Sequence, residues 1–173
     1  VIFTQVRDKI KALVKIDDAD LKKAQALAMV KRIFIPKSDT AKAELEKAAA
    51  EIKSGRTFES VMSKYTKDAP NPGKPVTERE EPFTLSQAFF DPKLAAMKNA
   101  KVGFISPVLE VPGGFAIYKV IKLTPPPADF DKNKDNLKTQ YQDMASGTQL
   151  QNELLALKDT TLPKWSNTGY QAL

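Results

Sequence analysis

Apolar and polar residues alternate from Met29 to Pro36, and this period of two predicts a β-strand. The alternation places Val30, Arg32 and Phe34 on one face and the intervening residues on the other. Pro36 has no backbone N–H to donate, so it is expected to end the strand. We take this segment as the first strand of the main domain.

Two further apolar arms flank a turn signal in the second half of the chain. Ile105 to Val111 and Phe115 to Leu123 are rich in Ile, Val, Leu, Phe and Tyr, and Pro112-Gly113-Gly114 lies between them. A Gly pair between two such runs is a strong local signal for a β-hairpin. The chain is therefore predicted to close its sheet with this hairpin.

Apolar residues recur at helical spacing over most of the remaining chain. Asp17-Asp18, Ser38-Asp39-Thr40 and Thr57 can each cap the start of a helix, and Gly55 suits the position just after a helix C-terminus. Asp91-Pro92 is expected to break the segment around it into two short helical pieces. The helices predicted in this way cover residues 1–14, 19–28, 41–54, 58–65, 85–98 and a long C-terminal stretch that begins at Asp129 or Asp131.

Three segments are expected to depart from regular structure. Ser146-Gly147 interrupts the apolar phase of the C-terminal stretch, so a kink or a second helix is expected there. Thr66 to Glu81 is polar and contains three prolines, which predicts a loop that is either functional or disordered. Thr160 to Leu173 is predicted to be extended or irregular.

Composition bounds the kinds of chemistry that the chain can perform. With 173 residues and a hydrophobic content of 42%, the chain is long enough for one ordinary domain plus appendages. It has no Cys and no His, which excludes disulfides, thiolate chemistry, and the commonest general base and metal ligand. We therefore expect neither a metal nor a cofactor.

The net charge of +6 comes from 27 cationic residues, of which 23 are Lys and 4 are Arg, set against 21 acidic residues. The cations are scattered along the predicted helices among Glu and Asp, whereas a nucleic-acid site usually clusters Arg with exposed aromatic residues. We interpret the charge as a solvated surface, and no nucleic-acid partner is expected. A weak attraction to acidic partners or anionic surfaces remains open.

The sequence contains no run of about 18 apolar residues, so no membrane-spanning segment is predicted. It starts at Val1 without a Met and without a basic-then-apolar leader, and we expect a processed or trimmed piece of a longer protein. The helix predicted at the start of the chain is accordingly interpreted as the end of something larger.

The order of strand, helix, helix, broken helix and hairpin over Met29 to Thr124 resembles a parvulin-type (PpiC-like) peptidyl-prolyl isomerase domain. The resemblance covers a little over half of the chain, and the order and spacing of several short strings support it. These strings are Lys31-Arg32-Ile33-Phe34-Ile35, Ser54-Gly55, Phe58-Glu59-Ser60-Val61, Lys64-Tyr65-Thr66-Lys67-Asp68, Gly103-Phe104-Ile105-Ser106-Pro107-Val108 and Gly113-Gly114-Phe115-Ala116-Ile117.

The resemblance implies an α+β fold with an FKBP-like antiparallel sheet of about four strands covered by helices. It implies a parvulin-like domain at residues 29–124, with flanking helices at residues 1–28 and a C-terminal helix and extended tail at residues 125–173. Helices on both sides of such a domain are similar to those of SurA-like and PrsA-like foldases, where they form a chaperone module. The resemblance therefore implies an extracytoplasmic location, whether periplasmic, cell-surface or secreted.

The family's active site usually sets one His on the first strand, another His on the last strand, and a Cys or Asp after the second helix. By position, the first His falls on Arg32, the second on Ala116, and the Cys or Asp on Asp68. Both usual His residues are therefore replaced. Arg32 is interpreted either as a donor toward the twisted prolyl amide or as the partner of Asp68 in an ion pair.

The same resemblance implies an apolar cup for the substrate proline. The cup would draw on Phe89 or Phe90, with Leu85 and Val76 as further contributors and Gly113 at the hairpin turn. Two adjacent Phe residues do not easily face one core, so one of them is expected to line a cleft while the other packs inside.

Rotation about an X-Pro bond breaks no covalent bond, so acid-base groups are not strictly required for catalysis. The first hypothesis is a foldase or chaperone domain that binds unfolded or proline-containing polypeptide segments, with weak or absent isomerase activity. The alternative is an active isomerase that works without the His pair. A third hypothesis is a non-catalytic scaffold, in which the terminal helices form a dimer interface or dock within the chain.

Overall fold

The structure is a computed structural model that describes residues 2–67 and 75–161 of the chain. Asp68 and most of the irregular tail predicted from the sequence lie outside these residues. The helices are α1 (Ile2–Leu13), α2 (Asp18–Ala24), α3 (Ala41–Lys53), α4 (Phe58–Tyr65), α5 (Ser86–Phe90) and α6 (Phe130–Thr161), and short 3₁₀ helices cover Val76–Glu78 and Pro92–Met97. The strands are β1 (Leu27–Pro36), β2 (Glu81–Thr84), β3 (Leu109–Val111) and β4 (Gly114–Thr124).

The four strands form one antiparallel sheet in the order β2-β1-β4-β3. β1 and β4 form its centre, and their pairing runs from Leu27 opposite Thr124 to Pro36 opposite Gly114, with one irregularity at Met29/Val30. The predicted α+β fold with a four-stranded antiparallel sheet and helices is therefore confirmed.

Alternate residues of the central strands contribute to two hydrophobic clusters, as the period of two predicts. Val30 and Ala116 belong to the first core cluster, whereas Ile33 and Ile117 belong to the second. The first core cluster also contains α5 and the 3₁₀ helix after it, and the second contains α3 and α4. Burial of each Val, Leu, Ile, Phe or Met side chain contributes about 1.5–3 kcal/mol, so these clusters are the main source of stability.

Two of the three predicted helix caps are confirmed by their hydrogen bonds, whereas the N-cap residue of α3 makes no side-chain cap hydrogen bond. The Asp17 carboxylate accepts from the backbone N–H of Asp20 at 2.7 Å, at the start of α2. The Thr57 hydroxyl does the same at the start of α4, where it accepts from the N–H of Ser60 at 3.3 Å. Gly55 follows the end of α3 with a φ of +98°, the left-handed conformation that closes a helix C-terminus.

One helix boundary and one strand differ from the prediction because sheet pairing prevails over local propensity. The helix predicted to reach about Ala28 ends at Ala24, since Leu27 and Ala28 pair with both β2 and β4. β2 itself was not predicted, because a strand of four residues that contains Pro82 has little local signal. Pro82 is tolerated there because β2 is an edge strand, which needs only one row of backbone hydrogen bonds.

The first arm of the predicted hairpin is shorter than expected. Only Leu109–Val111 forms a strand, and Ile105 makes an isolated bridge to Lys119. Between them the buried Ser106 hydroxyl accepts the N–H of Tyr118 at 2.9 Å and donates to the carbonyl of Pro107 at 2.8 Å. This side chain replaces a backbone acceptor, so the regular strand ladder is interrupted at Ser106.

Contacts divide the chain into two compact units, one at residues 16–138 and the other at residues 1–15 with 139–173. The larger unit contains the sheet. In the smaller unit Lys11 forms an ion pair with Asp143 at 2.7 Å, and the Gln142 amide donates to the carbonyl of Val14 at 3.1 Å. The ion pair and the hydrogen bond both join α1, or the residue just after it, to α6.

The second helix predicted after Ser146-Gly147 is not observed, because α6 continues from Phe130 to Thr161 and includes the first residues of the predicted irregular tail. Ser146 is fully buried, and its hydroxyl donates to the carbonyl of Asp143 at 3.0 Å, so its polar group has a partner within the helix. Among the described helices, none is both long enough and apolar enough to cross a membrane.

Candidate prolyl-binding site

The sequence-predicted positions Arg32 and Ala116 lie on the two central strands of the sheet. Arg32 is paired with Tyr118, and Phe34 is paired with Ala116, in the antiparallel register of β1 and β4. Ala116 and Tyr118 belong to the first core cluster and Phe34 packs against it, while Arg32 shares the parity of Phe34 along β1. The structure therefore brings both positions at which the family resemblance implies a His to one face of the sheet.

Glu81 and Phe34 both contact the Arg32 guanidinium. Its Nε atom lies 3.3 Å from a carboxylate oxygen of Glu81 on β2, and its Cζ atom lies 4.8 Å from the centre of the Phe34 ring. The side chain is 28% exposed, so water screens the charge only in part. A partly exposed ion pair and a cation–π contact each stabilise such a position by about 0.5–1 kcal/mol.

Ala116 offers no chemistry of its own. Its relative exposure is 0%, and it lies between Phe34 on β1 and Leu109 on β3 in the sheet register. A methyl side chain has no donor or acceptor, so this position cannot exchange a proton with a substrate. Because Ala116 is fully buried, its methyl group is not accessible to a substrate in this structure.

The hairpin turn packs against Phe34. Gly113 has a φ of +83°, as a turn with Pro112 before it requires, and its carbonyl accepts the N–H of Lys37 at 2.9 Å. A Cβ built on Gly114 would lie 2.2 Å from the carbonyl oxygen of Ile35 and 3.0 Å from the Phe34 ring. Gly114 is therefore required by the close approach of β1, and the predicted site residue Gly113 lies at the same edge of the site.

Four residues of this face were not predicted from the sequence: Phe34, Glu81, Phe83 and Tyr118. The rings of Phe83 and Tyr118 stand 5.4 Å apart, inclined at 54°, which is a favourable geometry for an aromatic pair. Phe34 and Tyr118 could have been found from the sequence, because each lies two residues along its strand from a predicted site position and therefore on the same face of the sheet. Phe83 and Glu81 depend on β2, which has no comparable local signal.

The predicted cup residues lie at the side of this face, around α5. Leu85 is buried in the first core cluster, whereas Phe89 and Phe90 at the end of α5 are both half-buried. The Lys98 ammonium lies 5.4 Å from the centre of the Phe89 ring. Neither Phe is fully inside, so each presents part of a ring to solvent.

Val76 is not brought together with Leu85, because it packs against the second core cluster. Asp68 lies outside the described residues, and its predicted pairing with Arg32 stays a prediction. Lys67, immediately before it, donates its N–H to the carbonyl of Phe34 at 2.8 Å. The end of α4 is thereby joined to β1 beside the site.

Among residues 2–67 and 75–161, no group of three or more Asp or Glu side chains could hold a metal ion. This face of the sheet combines aromatic and aliphatic side chains, most of them buried in the first core cluster, with one partly exposed guanidinium. Its partly exposed rings, Phe34, Phe89 and Phe90, are the groups that can contact an apolar side chain or a proline ring.

Comparison with known proteins agrees with this architecture. The profile of the family described as the PPIC-type PPIase domain matches residues 19–135 of the chain. The chain belongs to this family of peptidyl-prolyl isomerase domains. Comparison with curated protein sequences gives no match.

Among solved structures, the chain is similar to the peptidylprolyl isomerase PrsA from Bacillus cereus, with 19% identity, a TM-score of 0.52, and coverage of 94% of this chain and 60% of that one. It also matches a PpiC-type isomerase domain at 20% identity and a TM-score of 0.48, covering 61% of this chain and 98% of that one. A third match, from Campylobacter jejuni, concerns the SurA-like chaperones PEB4 and Cj1289. It has 16% identity and a TM-score of 0.39, and it covers 95% of this chain and 70% of that one. The PrsA match supports the fold, and the chain spans only 60% of that protein.

Proposed function

We propose that this chain is a foldase or chaperone domain that binds unfolded or proline-containing polypeptide segments, with weak or absent isomerase activity. The observation behind this proposal is the state of the two replaced His positions. Arg32 is held by Glu81 and Phe34, and Ala116 is fully buried with no polar atom. We infer that the partly exposed rings near these positions still bind a polypeptide, while neither Arg32 nor Ala116 carries an imidazole.

The rotational barrier of the X-Pro bond explains why the side chains at these two positions matter for catalysis. An X-Pro bond has a rotational barrier of about 18–20 kcal/mol, and an enzyme lowers it only by binding the twisted amide better than either planar form. A guanidinium that is held beside a carboxylate is partly fixed in orientation, and turning it toward an amide weakens that ion pair. The Nε atom of Arg32 lies 3.3 Å from a carboxylate oxygen of Glu81, so we expect the contribution of Arg32 to catalysis to be small.

Polypeptide binding draws on the aromatic side chains that remain half-exposed. Phe89 and Phe90 lie at the end of α5, and Phe34 lies beside the hairpin turn. Aromatic rings bury large areas at low cost in side-chain entropy, so they suit the binding of many apolar sequences. No acid-base group is needed for this task.

Two assays on the same preparation test the proposal. Isomerisation of a proline tetrapeptide is expected to be little faster than the uncatalysed rate, and aggregation of an unfolded client protein is expected to be suppressed. Replacement of both Phe89 and Phe90 by Ala should weaken the suppression. Replacement of Val102, which is 62% exposed, by Ala is the matched control and should leave suppression unchanged.

Efficient turnover in the peptide assay would instead support the alternative, an active isomerase that works without the His pair. The variant Arg32→His with Ala116→His then distinguishes a dormant site from an unrelated one. A gain of isomerase activity in the double variant would support the assignment of both positions. Asp68→Asn in the same background tests the third position that the family resemblance implies.

We also propose an extracytoplasmic location. The helices on both sides of the PPIC-type domain, which resemble those of SurA-like and PrsA-like foldases, support it. Fractionation of cells that express the full-length protein would test the location. Recovery in the cytoplasmic fraction alone would refute it.

A further inference from the structure

A groove of about 530 Å³ lies at the end of the sheet where β1 begins. Leu27 pairs there with Thr84 at the end of β2 and with Thr124 at the end of β4. The size falls within the range of about 300–1,000 Å³ that is typical of sites for small ligands or short peptide segments. We call it the lysine-rimmed groove, after the four lysines Lys22, Lys23, Lys98 and Lys101 that line it.

The floor of the lysine-rimmed groove is apolar and belongs to the folded core. Leu85 and Ala100 are buried members of the first core cluster, and Ala26 and Leu123 pack against that cluster. Pro125 and Pro126 extend the apolar lining beyond β4. Because these residues are held by the sheet, the floor exists before any ligand binds, which lowers the entropic cost of binding.

The rim of the groove is positively charged and only partly neutralised. Lys23 pairs with Asp20 at 3.0 Å and donates to the Asn99 side chain at 3.3 Å, which joins α2 to the turn after the second 3₁₀ helix. Lys22, Lys98 and Lys101 form no ion pair with any residue that the structure describes. Three uncompensated ammonium groups therefore border one apolar floor.

Two of these lysines are positioned by aromatic rings. The Lys22 ammonium lies 5.7 Å from the centre of the Phe130 ring, and the Lys98 ammonium lies 5.4 Å from that of Phe89. A ring orients a cation through its quadrupole but leaves the net charge in place. The contacts thus hold the charges at the rim without neutralising them.

We propose that the lysine-rimmed groove binds an acidic polypeptide segment in which an apolar side chain is flanked by carboxylates. The apolar side chain occupies the floor, and the carboxylates pair with the lysines on either side of it. Charge complementarity favours this occupant, because the free lysines come from two separate segments of the chain. A fatty acid has a single carboxylate and leaves most of the rim unpaired.

The charged rim of this groove lies apart from Arg32, although Leu85 lines the groove and is also a predicted residue of the prolyl cup. Arg32 lies five residues along β1 from Leu27, which corresponds to about 16 Å of extended strand. The inference rests on the proposed function only in that the occupant is a polypeptide. A peptide without proline can therefore test the groove independently of the prolyl-binding site.

The probe is a short fluorescein-labelled peptide with Glu residues on both sides of a Leu-Leu pair and without proline, titrated by fluorescence anisotropy. We expect saturable binding that weakens as NaCl is raised. The variant Lys22→Glu with Lys101→Glu should lower the affinity about tenfold, whereas the control Lys9→Glu with Lys47→Glu should change it less than about twofold. Lys9 and Lys47 are exposed, lie outside the groove and form no ion pair with a described residue.

Circular dichroism establishes that each variant is folded, and ¹⁵N chemical-shift changes at Asn99 to Lys101 localise the peptide. An equal loss of affinity in the groove and control variants would overturn the proposal, because binding would then follow net charge alone. Saturable binding of oleate without binding of the peptide would also overturn it. Loss of peptide binding in the groove variant, with aggregation suppression retained, separates this site from the prolyl-binding face.

Discussion

Arg32 and Phe34 lie two residues apart on β1, and the guanidinium carbon of Arg32 stands 4.8 Å from the centre of the Phe34 ring. Phe34 in turn packs against the glycine turn and is paired with Ala116. Arg32 and Ala116 are therefore connected through one aromatic side chain. A substitution at either position is expected to change the packing at the other.

The ion pair between Arg32 and Glu81 can be measured by a double-mutant cycle. Arg32→Gln and Glu81→Gln are each expected to lower the free energy of unfolding by about 1 kcal/mol, because each removes the ion pair between the two side chains. The double variant should lose less than the sum, with a coupling of about 0.5 kcal/mol, measured by urea denaturation. Strictly additive losses would contradict the pairing.

Ser106→Ala is expected to destabilise the larger unit by about 1–3 kcal/mol, because the buried N–H of Tyr118 loses its acceptor. Urea denaturation followed by circular dichroism measures the change. Ser63→Ala on the exposed face of α4 is the control and should be neutral or slightly stabilising. Similar losses in both variants would show that the Ser106 hydroxyl has no special role.

The stability contributed by Glu59 should depend on pH. Burial alone would raise the pKa of Glu59, but hydrogen bonds from Lys119, from its own backbone N–H and from Lys31 lower the pKa from 4.5 to about 2. A carboxyl whose pKa is depressed by folding contributes stability that is fully present above its unfolded pKa and is lost as the pH falls through the folded one. Since Glu59 is a third exposed, we expect a contribution of about 1 kcal/mol.

Glu59→Gln should therefore destabilise the protein at pH 6, and its difference from the unmodified protein should shrink as the pH falls from about 4.5 toward 2. Guanidinium denaturation at a series of pH values measures this difference. Glu46→Gln, on the exposed side of α3, is the matched control. A constant difference between the Glu59→Gln variant and the unmodified protein over this range would contradict the role of the lysine contacts.

Two glycines should respond oppositely to substitution by Ala. Gly114→Ala places a Cβ 2.2 Å from the carbonyl oxygen of Ile35, so β1 and β4 must separate, and a loss of about 2–4 kcal/mol is expected. Gly147 lies within α6, and a Cβ added there would meet no atom within 4 Å, so Gly147→Ala should stabilise by about 0.5–1 kcal/mol. Thermal denaturation of the two variants tests both signs, and a stabilised Gly114→Ala protein would contradict the close approach.

Features that depend on adjacent residues could be predicted from the sequence. The caps at Asp17 and Thr57, the break at Asp91-Pro92 and the turn at Gly113 each require only a few neighbouring residues. The alternation in β1 also predicted which residues share a face with Arg32. These local signals are sufficient because no distant part of the chain competes with them.

Features that depend on distant pairing could not be predicted. β2 forms because β1 offers it a free edge, and Glu81 reaches Arg32 from a position far along the sequence. The helix continues through Gly147 because one glycine lowers helix stability by about 1 kcal/mol, which is less than the stability contributed by the other residues of α6. In each instance the free energy gained from tertiary contacts or from cooperative helix formation exceeds the local conformational preference of the residues.

The first and last strands of the sheet domain are neighbours, and Leu27 faces Thr124 where the chain enters and leaves it. Facing residues of an antiparallel pair lie about 4.5–5.5 Å apart, so the start of β1 and the end of β4 are separated by only about that distance. A domain with adjoining ends can be inserted into, or removed from, a host chain without separating the segments that flank it. The topology therefore predicts that residues 27–124 can be inserted into or removed from a host protein as one unit, because their two ends adjoin.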